Sequence, residues 1–286
     1  MLALSLLLIA AHATAAGLPE GSFFVGLKSG AWQMHMVNSG GKVKVIKSDS
    51  EPRSATISRS QKKAAYIGAD GNVHEVSIAD GKDRVLLRFS KEVAYTQPAY
   101  LMDGQRLVVV QLKDGSSADT EIVFVGGKAN ATNQKLTDQP GGQFEPKPLN
   151  ASRFLYSSNS CSLGCGRIIQ EIWSKDLVTG EANQLTLLNS ISRQATVSAD
   201  GQSIYFSSNK GGNYHIWKLV LPADQLSQLT RGAVTDLNPT TDRDGNVYFV
   251  RYQPAGVKLL RLDRAGSEET VPMPAGVEDI RDLEIQ

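Results

Sequence analysis

The stretch "SADGQSIYFSSNKGGNYHIWKLVL", residues 198 to 221, constrains the fold more than any other part of the chain, because it repeats. It holds an Asp-Gly turn, a short apolar strand, a Gly-rich turn and a second strand. The first strand, "SIYFSS", has counterparts in "GSFFVG", "KAAYIG", "RLVVVQ", "RFLYSS" and "NVYFVR". The aligned residues Phe24, Tyr66, Val109, Tyr156, Phe206 and Phe249 follow one another at spacings of 42, 43, 47, 50 and 43 residues. Self-similarity at such a period marks a repeat architecture.

Other parts of the unit recur as well. The second strand, "HIWKLVL", matches "WQMHMV", "VHEVSI", "TEIVFV", "QEIWSK" and "VKLLRL". The closing "SQLT" returns as "NQLT" and "QKLT". Asp-Gly turns stand at Asp103-Gly104, Asp200-Gly201 and Asp244-Gly245, where a tight hairpin needs residues tolerant of positive φ. One more short strand precedes each turn, as in "ATIS", "PAYLM", "PKPLN" and "ATVS". Four short strands per period of about 45 residues, with no helical periodicity, predict β-propeller blades rather than a β-sandwich or a β-solenoid.

Six second strands and six third strands can be counted, but only five first strands precede the last segment. The sequence therefore predicts an all-β, six-bladed β-propeller. Its ring is closed by the C-terminal "DIRDLEIQ", which joins the N-terminal strands of residues 22 to 47. Closure of this kind removes exposed sheet edges.

The remaining features set the context. The first residues, "MLALSLLLIAAHATAAGLPEG", have a short apolar run from Leu2 to Ala10, and Ala13 and Ala15 stand at the small positions of an A-x-A site. This predicts a secretory signal over residues 1–15, with a propeller over 16–286. A buried N-terminal helix is the alternative; the run is too short to span a bilayer. A net charge of +1 on 286 residues gives no footprint for nucleic acid or anionic lipid. The two cysteines, Cys161 and Cys165, are expected to form a local disulfide in an oxidising compartment, the alternative being two free thiols.

"SADGQSIYFSSNKGGNYHIWKL", with its closing "QLT", resembles the WD-like repeat of the TolB-type β-propellers, and "RDGNVYFVR" and "QEIWSKDLVTGEANQLT" match it in part. The resemblance extends over the mature chain. It leaves no room for the N-terminal α/β domain that TolB also carries, so a propeller-only relative is expected. It implies a periplasmic protein that binds partners at a mouth of the propeller channel.

Signs of catalysis are sparse. No G-x-S-x-G elbow and no phosphate-cradling Gly-rich loop is present, and no cofactor is implied. His35, His74 and His215 fall on third strands of different blades, as partly exposed residues too far apart to share a metal, so no metal site is expected. "DRDGN", residues 242 to 246, begins like a calcium loop, but the twelfth position is Gln253 and the repeated turn explains the same residues. "NAT" at 130 and "NAS" at 150 match glycosylation acceptors by chance. Trp173 and Trp217 occupy one repeat position and are expected to pack between blades.

Segments entering the innermost strands place Arg53, Gln97, Glu145, Arg193, Asn238 and Arg281 around one channel mouth. Such a ring, with three cations, would recognise an acidic or polar segment of a periplasmic or envelope protein; a hydrated channel without a partner is the alternative. Glu145 and Asp236 are the acidic residues expected there. The sequence thus points to an exported, monomeric, non-enzymatic scaffold. A small propeller enzyme or carbohydrate-binding protein, with its site in the same channel, is the second reading.

Overall fold

The structure, a computed structural model, describes residues 17–126, 134–161, 166–222 and 224–285. Residues 1–15, read above as a secretory signal, the glycosylation match at 130 and Cys165 lie outside the described residues, and Cys161 ends a strand beside them.

All regular structure among the described residues is β-strand, arranged in six small sheets. Blade 1 holds β1 (Phe23–Lys28), β2 (Ala31–Val37) and β3 (Val43–Ile46). Blade 2 follows with β4 (Pro52–Ser58), β5 (Lys63–Gly68), β6 (Val73–Ser77) and β7 (Asp83–Leu87). Blade 3 has β8 (Val93–Tyr100), β9 (Leu107–Lys113) and β10 (Thr120–Phe124); its outer edge is marked by a bridge from Val123 to Lys135. Blade 4 comprises β11 (Gln143–Pro148), β12 (Arg153–Cys161), β13 (Ile169–Asp176) and β14 (Ala182–Gln184). Blade 5 comprises β15 (Ser192–Val197), β16 (Ser203–Ser208), β17 (His215–Val220) and β18 (Gln225–Gln228). Blade 6 comprises β19 (Thr235–Thr241), β20 (Val247–Gln253), β21 (Gly256–Leu262) and β22 (Glu268–Val271). The last strand, β23 (Asp279–Glu284), pairs antiparallel with β1 and completes blade 1. The predicted ring and its closure are both present.

Burial follows from this arrangement. The second strand of each blade has neighbouring blades against both faces, so it reads as a near-continuous apolar run: Phe23 to Val25, Ala64 to Ile67, Leu107 to Val110 and Val247 to Val250 are all buried. Outer strands face water and alternate or turn polar, as β18 and β22 do. The core is accordingly divided into six clusters, one at each junction between blades. Trp173 packs against the cluster between blades 3 and 4, and Trp217 against that between blades 4 and 5.

Polar repeats have defined tasks. The Thr of each closing "LT" accepts a hydrogen bond from the third-strand Ile of its own blade: Thr137 from Ile122, Thr186 from Ile172 and Thr230 from Ile216, each at 2.9 Å. The hydroxyl replaces a ladder bond where the chain leaves the outer strand. At the Asp-Gly turn of blade 3, Gly104 has φ of +67°, and a Cβ there would meet the Ser60 hydroxyl at 2.2 Å. Ser58 of blade 2 donates to the Gly104 carbonyl at 2.6 Å, so this turn is also an interblade contact.

His35, His74 and His215 lie on third strands, but they are buried rather than partly exposed. Blade-to-blade packing covers both faces of these strands. His74 lies between Asp83 and Asp70, at 3.1 and 3.0 Å, and stacks on Tyr66.

Candidate functional site

The six inner strands, β23, β4, β8, β11, β15 and β19, line a central cavity of about 940 Å³. All six residues that the sequence assigned to a mouth ring, Arg53, Gln97, Glu145, Arg193, Asn238 and Arg281, border this one cavity. Their arrangement differs from a simple ring.

Each inner strand shifts register against its second strand. The extra residue of such a bulge re-aims the local backbone. Five of the six bulges hold a non-Gly residue at positive φ: Gln97 at 49°, Glu145 at 56°, Gln194 at 58°, Asn238 at 56° and Asp282 at 52°. A left-handed conformation costs an L-residue about 1–2 kcal/mol. Here the bent backbone and its side chain build a latch that runs around the channel.

The latch works blade to blade. Ser54 Oγ accepts from the Gln97 amide at 3.2 Å, and Gln97 Oε1 accepts from the Glu145 amide at 2.9 Å. Glu145 Oε2 accepts from the Gln194 amide at 2.7 Å, and Gln194 Oε1 from the Asn238 amide at 3.0 Å. Asp282 Oδ2 accepts from the Ala55 amide at 3.0 Å. Between blades 6 and 1, Thr240 Oγ1 accepts from the Ile285 amide at 3.3 Å.

The predicted ring therefore separates into two layers. Gln97, Glu145 and Asn238 belong to the latch, together with Ser54, Gln194 and Asp282, which the sequence reading missed. Arg53, Arg193 and Arg281 stand one residue earlier, at the mouth. Only Arg53 is exposed without an ion pair or hydrogen bond among the described residues. Arg193 donates from Nε and Nη2 to Glu145 Oε1, at 3.0 and 2.7 Å. Arg281 donates to the Pro52 carbonyl at 2.8 Å, and its guanidinium lies 3.8 Å from the centre of the Trp32 ring. Asp236 is not a channel residue: it is fully buried between blades 5 and 6 and clamped by Arg251 at 2.7 Å.

Two residues beyond the latch, the equivalent positions are Thr56, Ala99, Lys147, Thr196, Thr240 and Glu284. Two ionisable residues interrupt this otherwise small, hydroxyl-rich layer, and that break in the repeat is a readable signal. Lys147 and Glu284 lie on blades 4 and 1, which face one another across the ring, and their charges meet at 2.9 Å. Thr56 also donates to Glu284 at 2.9 Å, and Arg59 donates to its backbone carbonyl at 2.9 Å. Burial works against the Glu284 charge, but Lys147 and Arg59 outweigh it and hold the carboxyl below its usual range. Asp282 has less compensation. Burial pushes its carboxyl up to about 6, with Lys147 opposing incompletely.

Among the described residues no group of three or more His, Cys, Asp or Glu is placed to hold a metal ion. The Asp242 carboxylate of the calcium-like segment is engaged by its own turn, accepting from the Asn246 amide and side chain at 2.9 and 2.7 Å. No helix of the described residues is long and apolar enough to cross a membrane.

No family model and no curated protein sequence matches the chain. Solved structures do. TolB from Acinetobacter baumannii superimposes with a TM-score of 0.75 at 17% identity, over 94% of this chain and 68% of that one. A structure from Agrobacterium tumefaciens described as TolB gives 0.66 at 17% identity, over 88% of each chain. An oligogalacturonate lyase in complex with manganese gives 0.63 at 12% identity, over 89% of this chain and 75% of that one. Taken with the six blades and the closing strand, these similarities show that the chain has the TolB-like six-bladed β-propeller fold.

Proposed function

We propose that the chain is an exported, non-enzymatic binding scaffold that docks a protein of the cell envelope at the latch-side mouth of its channel. The observation that carries this reading is the surface around Arg53. This exposed, unengaged cation sits beside Arg281, which is stacked on Trp32. Arginine and tryptophan together suit the anchor of a protein interface. Exposed Phe89, Ile168 and Leu187 lie in connections at the same end of the propeller, which adds apolar contact area. The periplasmic setting is inferred from the N-terminal sequence and from the fold shared with TolB.

The test is retention of an envelope protein from extract by the mature chain, compared with Arg53→Glu. Arg193 is unsuitable for this purpose, because its cation holds Glu145 in the latch. One protein retained by the wild type and lost by Arg53→Glu supports the reading. Equal retention by both refutes it. A second reading, a small-ligand site inside the channel, is favoured by the 940 Å³ cavity itself.

A further inference from the structure

The cavity does not end at the latch. It continues to the turns that leave the inner strands, at the opposite end of the propeller from Arg53. There its wall is divided by chemistry. Blades 3 and 4 contribute Leu101, Met102, Pro148 and Leu149. Blades 2 and 6, which flank blade 1 on the other side, contribute Arg59 and Arg243. Met102 is 53% exposed, a large apolar side chain left open at a channel rim.

The two arginines are unlike each other. Arg59 is fixed: Nε and Nη2 donate to the Gly21 carbonyl, Nη2 also reaches the Glu284 carbonyl, and Nη1 lies 4.0 Å from the Glu284 carboxylate. Arg243 is exposed and has no ion pair or hydrogen bond among the described residues. It also borders a second hollow of about 450 Å³ formed with Glu20 and residues 36–39. The pair is close enough for repulsion: burial first, and Arg243 after it, work against the charged form of Arg59, while the Glu284 carboxylate supports it. The nearby Asp242 carboxylate turns into its own loop, where it accepts from the Asn246 amide and side chain, and it forms no ion pair with Arg243 among the described residues. Like charges gathered at a hollow with an apolar opposite wall are complementary to an anion with an apolar body.

We propose that this end of the channel binds a small amphipathic organic acid. Its anionic head lies between Arg59 and Arg243, and its apolar body rests on Leu101, Met102 and Leu149. The channel that this end opens from measures about 940 Å³ over its whole length, within the range of small-molecule sites, about 300–1,000 Å³. The site is remote from the proposed partner mouth and stands independently of that reading.

The test is a fluorescence titration of the full chain with 8-anilinonaphthalene-1-sulfonate, which joins an anionic head to an aromatic body. Decanoate and decylammonium serve as competitors. The expected result is saturable binding that decanoate displaces and decylammonium does not. Arg243→Ala and Met102→Asp should each weaken it about tenfold, the loss of one charged or apolar anchor. Both residues are exposed, so thermal unfolding should stay at the wild-type midpoint, which separates lost binding from lost folding. Arg53→Glu, at the other mouth, should bind the dye as the wild type does. The proposal is overturned by absence of saturable binding. It is equally overturned by wild-type affinity in both variants, or by displacement with decylammonium as effective as with decanoate.

Discussion

Asp282 is a carboxylate in an unfavourable place. Its backbone is bent to φ of 52°, its oxygen is used by the Ala55 amide, and burial lifts its pKa from 3.8 to about 6. A raised folded-state pKa means that the native state holds the proton more tightly than the unfolded chain does. Stability from this group is therefore greatest below pH 4 and falls as pH rises towards 6. At pH 7 the ionised group costs about 2–3 kcal/mol. Asp282→Asn keeps an oxygen for Ala55 and a residue type that tolerates positive φ, so urea unfolding at pH 7 should show stabilisation of that order, vanishing near pH 4. His35 acts in the opposite direction. Both ring nitrogens are buried without a hydrogen-bond partner, the ring stacks on Phe24, and burial, helped by Lys28, lowers its pKa. The folded state must keep this ring neutral, so its contribution is intact above pH 6.5 and is lost as pH falls below it. Thermal scans at pH 7 and pH 5 should show a smaller drop for His35→Leu than for the wild type; an equal drop would remove His35 as a source of acid sensitivity.

At the scale of elements, the inner strand is where the repeat stops being regular and the site begins. Gln194 has φ of 58° and accepts from Asn238 of the next blade. Gln194→Ala should destabilise by about 1–2 kcal/mol in urea, since the bond is lost while the strain is kept. Gln194→Gly should cost less, because glycine relieves the positive φ. Equal losses would mean that the bent backbone stores little strain. The sequence made the inner strands legible, through the turns that follow them and the unit length, and it selected six residues that do border one cavity. It did not reveal the bulges. A bulge offsets the strand by one residue, and one residue changes which face a side chain takes. Pro98, Pro146 and Pro239 mark the latch position after Gln97, Glu145 and Asn238, but Ser54, Gln194 and Asp282 have no such Pro after them, so the neighbouring Arg53, Arg193 and Arg281 stand in their place in the sequence alignment. Histidine burial was hidden for a related reason: a third strand looks peripheral in the repeat but is covered by the next blade.

The whole ring creates contacts that no single blade contains. Lys147 and Glu284 are 137 residues apart, and they meet because blade 4 faces blade 1 in a ring of six. The closing strand contributes most of the charge on its side of the channel: Arg281 at the mouth, Asp282 in the latch and Glu284 below it. Ring closure and channel electrostatics are thus one feature, and a chain that failed to close would lose both. A double-mutant cycle on Lys147→Ala and Glu284→Ala tests this. In the closed ring, removal of Lys147 leaves Glu284 with only the more distant Arg59 charge, and removal of Glu284 leaves Lys147 with only the Asp282 carboxyl nearby. Contacting charged residues couple by about 0.5–3 kcal/mol, whereas sites without shared partners add within about 0.5 kcal/mol. The expected coupling lies in the upper half of the first range, because both groups sit in the channel wall rather than on the outer surface. Additive losses would mean that the two strands do not face each other across the channel in solution. The same cycle at 1 M salt should retain most of the coupling, since screening acts mainly on exposed pairs.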